Sequence, residues 1–298
     1  MGKMAALKTL IVGCGYVGMA VGQSLVERGD TVTGICRSAE SADAVRAAGM
    51  RPWIADITSL DSLRSAKPEF DAIINCVSSS RGGEQAYREV YLKGTINLLE
   101  WTRPSPPQII VYTGSTTVYA QSGGEWVDET SPTEPPHASG RILVETEKLY
   151  LDSRLPVTVL RLAGIYGPGR HAMLDRLRGG GTDLAGDGKH FVNMIHRDDI
   201  VATLLATLDR KLAGEILNVV DDEPVQQVEY VGWLCEQLGL PPAKFDPDAE
   251  KKFKGGMRKG FQPNRRIANE KMKSVLGVTL QYPNFREGLL PMIQDPKL

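Results

Sequence analysis

Residues 8–18 read KTLIVGCGYVG, and the order of events within them decides the fold. Lys8–Val12 is an apolar run of strand length. Gly13-Cys14-Gly15-Tyr16-Val17-Gly18 follows as a G-x-G-x-x-G loop, and Tyr16–Arg28 continues with helical spacing until Gly29 stops it. A bare glycine pattern says little. Set between a buried strand and the first turn of a helix, it acquires a mechanism. Gly13 permits the tight turn, Gly15 lets an anion approach the backbone, and Gly18 lets the helix close on the strand. The helix N-terminus then faces a pyrophosphate, so the loop predicts dinucleotide binding.

Outward from the loop, strands and helices alternate. Thr31–Ile35, Arg51–Ile54, Phe70–Cys76, Gln108–Thr113 and Val157–Leu162 read as strands. Ser41–Ala48, Leu60–Lys67 (ended by Pro68), Gln85–Trp101 and Arg141–Asp152 read as helices. This alternation predicts an α/β fold, a Rossmann-type doubly wound parallel sheet covered on both faces. After Gly164 the texture changes to glycine-rich loops at Gly167–Arg170 and Gly179–Gly188, with helices expected at Ile200–Leu212, Val228–Leu238 and Asn269–Leu276. Residues 1–163 are expected to form the dinucleotide-binding domain, with 191–222 returning to it. Residues 164–190 and 223–298 are expected to form a smaller substrate lobe.

The 298 residues are 42% hydrophobic and 24% charged, with a net charge of −1. No basic excess is available to neutralise phosphates, which argues against nucleic acid as a partner. No apolar run is long enough to span a bilayer, and the opening MGKMAALKTLIVG reads as the first strand rather than a signal peptide. Four cysteines without a C-x-x-C pair, and only four histidines, argue against a metal site or a disulfide framework. A small-molecule substrate and a reducing, cytoplasmic setting are the expectation.

The end of the second strand, Gly34-Ile35-Cys36-Arg37-Ser38, selects between cofactors. NAD sites carry an acid about 20 residues beyond the loop for the ribose 2′-hydroxyl, and none stands here. Arg37 suits a 2′-phosphate and Ser38 can donate to it, unless Arg37 is simply a solvated loop residue. NADP(H) is expected in preference to NAD(H). Asp56-Ile57 suits the adenine edge, and Cys76-Val77-Ser78 the adenosine side and phosphates.

VYTGSTTVYA (111–120), RLAGIYGPGR (161–170), IHRDDI (195–200) and LNVVDDEPV (217–225), in this order after the glycine loop, resemble the extended branch of the short-chain dehydrogenase/reductase superfamily. That branch contains the NAD-dependent epimerases and dehydratases. The resemblance implies catalysis by a serine or threonine together with Tyr-x-x-x-Lys on the helix after the fifth strand. The lysine there lowers the tyrosine pKa and holds the nicotinamide ribose. Ser115 matches the serine. Aligned on Gly140-Arg141 and Glu147, the tyrosine position holds Ser139 and the lysine position Leu143, so the chain reads as an atypical member.

Two readings follow. In one, another group moves the proton. His137 has a suitable ordinary pKa, and Arg141 shares its helix face if the helix includes His137. Tyr119 and Tyr166 are further candidates. The plainer alternatives are a loop histidine, a surface arginine and packing tyrosines. In the other reading the hydride chemistry is lost, leaving a non-catalytic dinucleotide-binding sensor or docking module. The sugar-nucleotide enzymes of the family place an asparagine where Gly164 stands and an arginine where Val192 stands, which weakens the case for a UDP-sugar. Asn193 suits something smaller or less charged. His196, Asp198 and Asp199 read as a loop anchor and helix start. Lys251, Lys252 and Lys254 read as a solvated face, whereas Arg258, Lys259, Arg265 and Arg266 either do the same or close over an anionic substrate. The resemblance also implies a homodimer through the helices Gln85–Trp101 and Arg141–Asp152. The expectation is an NADP(H)-dependent oxidoreductase, or an epimerase/dehydratase-like enzyme, acting on a small carbonyl, hydroxyl or modified-sugar substrate, with Ser115 polarising a substrate oxygen.

Overall fold

A computed structural model describes residues 6–79, 83–249 and 263–295. The apolar runs fold as the pattern requires: KTLIV, AIIN and VTVLRL are buried along almost their whole length because helices cover both faces. The first half runs β1 (Lys8–Val12), α1 (Tyr16–Arg28), β2 (Thr31–Cys36), α2 (Ala39–Ala47), β3 (Arg51–Ile54), α3 (Leu60–Leu63) and β4 (Ala72–Asn75). A continuous helical run follows, made of α4 (Gly83–Arg88), a π-helical turn Glu89–Lys93 and α5 (Gly94–Thr102). Then come β5 (Ile109–Ser115), a 3₁₀ turn Thr116–Val118, β6 (Trp126–Val127), α6 (Ala138–Asp152) and β7 (Val157–Leu162).

Seven strands form one sheet in the order β3-β2-β1-β4-β5-β7-β12, with β12 at Ile216–Val219. Every pairing in it is parallel. Chain order reverses between β1 and β4, so a crevice opens beyond the carboxyl ends of these strands, where doubly wound sheets hold ligands. Helix α3 stops at Leu63 rather than Lys67, and α6 begins three residues before the expected Arg141.

The second half is built of short pieces: β8 (Gly164–Tyr166), α7 (Ala172–Arg178), β9 (Asp183–Ala185), β10 (Phe191–Val192), β11 (Met194–His196) and α8 (Arg197–Arg210). Beyond β12 lie β13 (Val225–Gln226), α9 (Gln227–Gln237), β14 (Lys244–Asp246), β15 (Arg266–Ile267), α10 (Glu270–Leu276) and α11 (Phe285–Gln294). A second hydrophobic core joins Tyr166, Leu174, Leu177, Val231, Leu234 and Phe285. Ile267, Met272, Leu276 and Leu280 pack instead into the core of the large sheet. The stretch 223–298 is therefore not one lobe: α9 and α11 build the smaller core, while β15, paired to β6, and α10 return to the first.

Candidate functional site

Each glycine of the loop does a separate job. Gly13 has φ +94°, and a Cβ there would stand 2.8 Å from the Val77 nitrogen. A Cβ on Gly18 would stand 2.2 Å from the Gly13 carbonyl oxygen, so helix and strand close only over glycine. A Cβ on Gly15 would meet nothing within 4 Å. The space over Gly15 is thus open to a ligand, beside an α1 N-terminus that no side chain caps. This cradle fits a pyrophosphate.

A cavity of about 360 Å³ runs from the loop across the ends of β1, β2 and β4. Arg37, Asp56 and Ile57 line one side, and Cys76, Val77 and Ser78 the other. Ser38 is not on its wall. Its Oγ caps α2 by accepting the Ser41 amide at 3.2 Å, and Ser41 lines the cavity instead. The sequence reading missed Ser41 and Thr58; the capping serine three residues before Ser41 was the available signal. Burial pushes the Cys14 and Cys76 thiols up to about 12, so both stay protonated apolar fillers near neutral pH.

A second cavity, of about 700 Å³, shares Gly15, Cys76, Val77 and Ser78 with the first, and Tyr16 and Val17 also line it. Ser115 stands on its wall at the end of β5, where Oγ donates to Thr117 Oγ1 at 2.9 Å and accepts the Thr117 amide at 3.2 Å. Arg265 lines the same cavity, and its guanidinium donates to the Thr116 carbonyl at 2.8 Å. Arg266 is turned away, stacked between Trp126 and Phe191. Tyr87, Tyr91, Arg170 and His190 also line this cavity, and the sequence reading passed over all four. The tyrosines' i, i+4 spacing was the only hint.

Several expected site residues stand outside both cavities. His137 lies outside α6 as its N-cap: its Nδ1 accepts the Gly140 amide at 3.0 Å and lies 3.0 Å from Ser139 Oγ. Arg141 turns back to the Pro136 carbonyl at 2.6 Å. Neither residue lines either cavity, because capping consumes the imidazole and Arg141 faces outward. Ser139 and Leu143 are 4% and 1% exposed, packed under the helix rather than facing the cleft. Tyr119 is fully buried, donating to Asn218 Oδ1 at 2.7 Å and accepting from Arg161, which pairs with Glu147. Tyr166 belongs to the second core, and burial raises its phenol well above the usual range.

Asn193 lines the large cavity, yet its amide is engaged with the backbone of Arg265 and Ile267 at 2.9 Å each. It braces β15 and is not free for a substrate. His196 caps α8 and Asp199 accepts the Gln281 and Tyr282 amides, as a loop anchor should. Lys251, Lys252, Lys254, Arg258 and Lys259 lie outside the described residues. Among the described residues, no cluster of histidine, cysteine or carboxylate could hold a metal ion, and no helix is long and apolar enough to cross a membrane.

Comparison with known proteins follows the same lines. Residues 9–219 match the NAD dependent epimerase/dehydratase family. Protein YeeZ of Escherichia coli (strain K12) is 33% identical over 287 residues, covering 93% of this chain and 97% of the relative. A solved structure of a conserved protein of unknown function from Silicibacter pomeroyi superposes with a TM-score of 0.80 at 29% identity, covering 98% of this chain and 99% of that one. A 2-alkyl-3-oxoalkanoate reductase of Stenotrophomonas maltophilia is 24% identical over 255 residues, covering 79% of this chain and 77% of the relative.

Proposed function

The chain belongs to the NAD dependent epimerase/dehydratase family, and on that footing we propose that it is an NADP(H)-dependent oxidoreductase reducing a small carbonyl compound. The observation that carries this reading is the continuity of the two cavities, with the glycine loop between them and Ser115 on the far wall. A dinucleotide lying over Gly15 would place its adenosine beside Asp56 and Ile57, and its reactive end toward Ser115. Arg37, exposed at the rim of the first cavity, would pair with a 2′-phosphate. When bound, the cofactor supplies the hydride. Ser115 holds the substrate oxygen by hydrogen bonding, and the cavity walls keep the reacting carbon from water.

The keto-acid reductase among the relatives favours a ketone over a nucleotide sugar. The same reading makes the protein a homodimer through α5 and α6, where Ile96 and Leu151 are 49% and 41% exposed. The experiment is a fluorescence titration with NADPH and NADH, followed by turnover on ethyl 2-methylacetoacetate. NADPH should bind at least about tenfold tighter than NADH, and Ser115→Ala should abolish turnover. Tight cofactor binding without oxidation on any ketone, β-keto ester or quinone would favour a binding-only sensor. The burial of Ser139 and Leu143 is the observation behind that second reading.

A further inference from the structure

A carbonyl reduction needs a proton as well as a hydride, and Ser139, Leu143 and His137 are all removed from the cleft. Three phenols line the large cavity: Tyr16, Tyr87 and Tyr91. The Tyr16 hydroxyl is spent, donating to the Pro168 carbonyl at 2.9 Å. Tyr87 and Tyr91 remain together on one helical wall, with ring centroids 4.4 Å apart and planes at 43°. They sit at the junction of α4 with the π-helical turn Glu89–Lys93. A π turn widens a helix by one residue and re-aims the side chains around it, and such turns recur at functional sites. Tyr91 is 7% exposed and Tyr87 half-buried. Beyond the effect of burial, Tyr87 raises the Tyr91 phenol and the Ser79 backbone lowers it, so the two rings also feel each other's charge state.

We propose that Tyr87 and Tyr91 form the proton-donating pair of this cleft, delivering a proton to the substrate oxygen that Ser115 holds. The proposal rests on the oxidoreductase reading. As the carbonyl carbon accepts a hydride from a bound reduced nicotinamide dinucleotide, the π electrons of the C=O bond move to its oxygen. That oxygen takes a phenolic proton from the pair and an alcohol leaves. The tyrosinate left behind regains its proton from solvent on the half-open Tyr87 side. Burial, and then the neighbouring Tyr87, hold the Tyr91 phenol above the usual range, against the opposing Ser79 amide. A phenol held there stays protonated at neutral pH and is a poor base. It can still give its proton to an alkoxide, so the pair suits reduction better than oxidation. Its titratable neighbours are Tyr112 of β5, itself held protonated by burial, and beyond it Glu147 and Tyr150 of α6.

The test uses the full chain saturated with NADP⁺ and 4-nitrophenol as an oxyanion probe. Bound 4-nitrophenolate should show a shifted visible band. In Tyr91→Phe and Tyr87→Phe the shift should shrink and the probe Kd rise about tenfold, with cofactor affinity and circular dichroism unchanged. No shift in the wild type, or the same shift in both variants, overturns the pair. In turnover, either variant should lower kcat on ethyl 2-methylacetoacetate about 10²–10³-fold with KM within about threefold, in keeping with general acid catalysis. Wild-type kcat should be flat from about pH 6 to 8. A loss of rate as pH rises through the ordinary histidine range would hand the role to His190 and overturn the pair. Turnover insensitive to both substitutions sinks the pair and leaves the oxidoreductase reading standing. A tyrosine-dependent probe shift without any turnover does the reverse.

Discussion

The hydroxyl of Tyr16, inside the glycine loop, donates to the carbonyl of Pro168 in the turn after β8, 2.9 Å away and 152 residues along the chain. Arg170 and Arg197 stack on the Tyr16 ring at 5.5 and 5.2 Å, so one side chain joins the phosphate loop to the smaller lobe. Tyr16→Phe keeps the stacking and deletes the hydrogen bond. It should cost about 0.5–1.5 kcal/mol and lower Tm by about 1–4 °C, read by calorimetry. An unchanged Tm would show that the two lobes are held by other contacts.

Gly15 and Gly18 should part company when each is replaced by alanine. At Gly15 the added methyl enters empty space at an ordinary negative φ, so folding should be unaffected, while cofactor affinity falls at least about tenfold because the methyl occupies the anion's approach. At Gly18 the methyl meets the Gly13 carbonyl at 2.2 Å. That variant should lose about 1–3 kcal/mol of stability before any ligand is added, as overpacked sites do. Urea melts beside fluorescence titrations check both.

Arg37→Ala should weaken NADPH binding about tenfold or more, the weight of a charge-assisted hydrogen bond, and leave NADH binding within about twofold. The proposed preference for NADPH should also shrink as salt is raised, because Arg37 is exposed and screened. Equal loss for both cofactors would place Arg37 away from the 2′-phosphate.

Asp221 is 1% exposed, its Oδ2 has no hydrogen-bond partner, and burial together with Asp222, Glu223 and Asp199 raises its carboxyl well above the usual range. The folded state therefore binds this proton more tightly than the unfolded chain. The resulting penalty is absent below the ordinary aspartate pKa of about 3.9 and grows as pH rises through the raised folded value. Asp221→Asn removes the charge while its carbonyl still accepts the Glu223 amide. It should raise Tm by about 2–5 °C at pH 8 and by less at pH 5. A gain that does not depend on pH would mean that Asp221 is already ionised in the folded state by pH 5, its carboxyl little raised.

The large sheet was legible because its strands are short, apolar and buried on both faces, so KTLIV and VTVLRL carry their assignment in local composition. The glycine loop was legible for a similar reason: strand, turn and helix are contiguous in sequence. The smaller lobe was not. Its strands run two or three residues and exist only through distant partners, as where β9 pairs with β14 across some 60 residues of chain. Helix α11 carries Pro291 in its interior, which reads as a break, although Asn284 caps its start by accepting the Arg286 and Glu287 amides. The capping role of His137 was hidden because an imidazole replaces the usual serine, threonine or carboxamide. The π turn was hidden because an extra residue inside a long amphipathic run leaves the composition unchanged, and with it went the cleft-facing tyrosines.

The pairing of β15 with β6 also fixes a timetable. Every residue lining the first cavity lies between Val12 and Val90, whereas the second is closed by Pro263, Arg265 and Ile267. During synthesis the nucleotide half of the cleft has all its parts long before its other half has a wall. A nascent chain arrested after β12 would hold the means to grip the cofactor's adenosine end but lack the enclosure that shelters the reacting atoms from water. The residues that follow β12 would then decide when a holder of nucleotide becomes a vessel for chemistry.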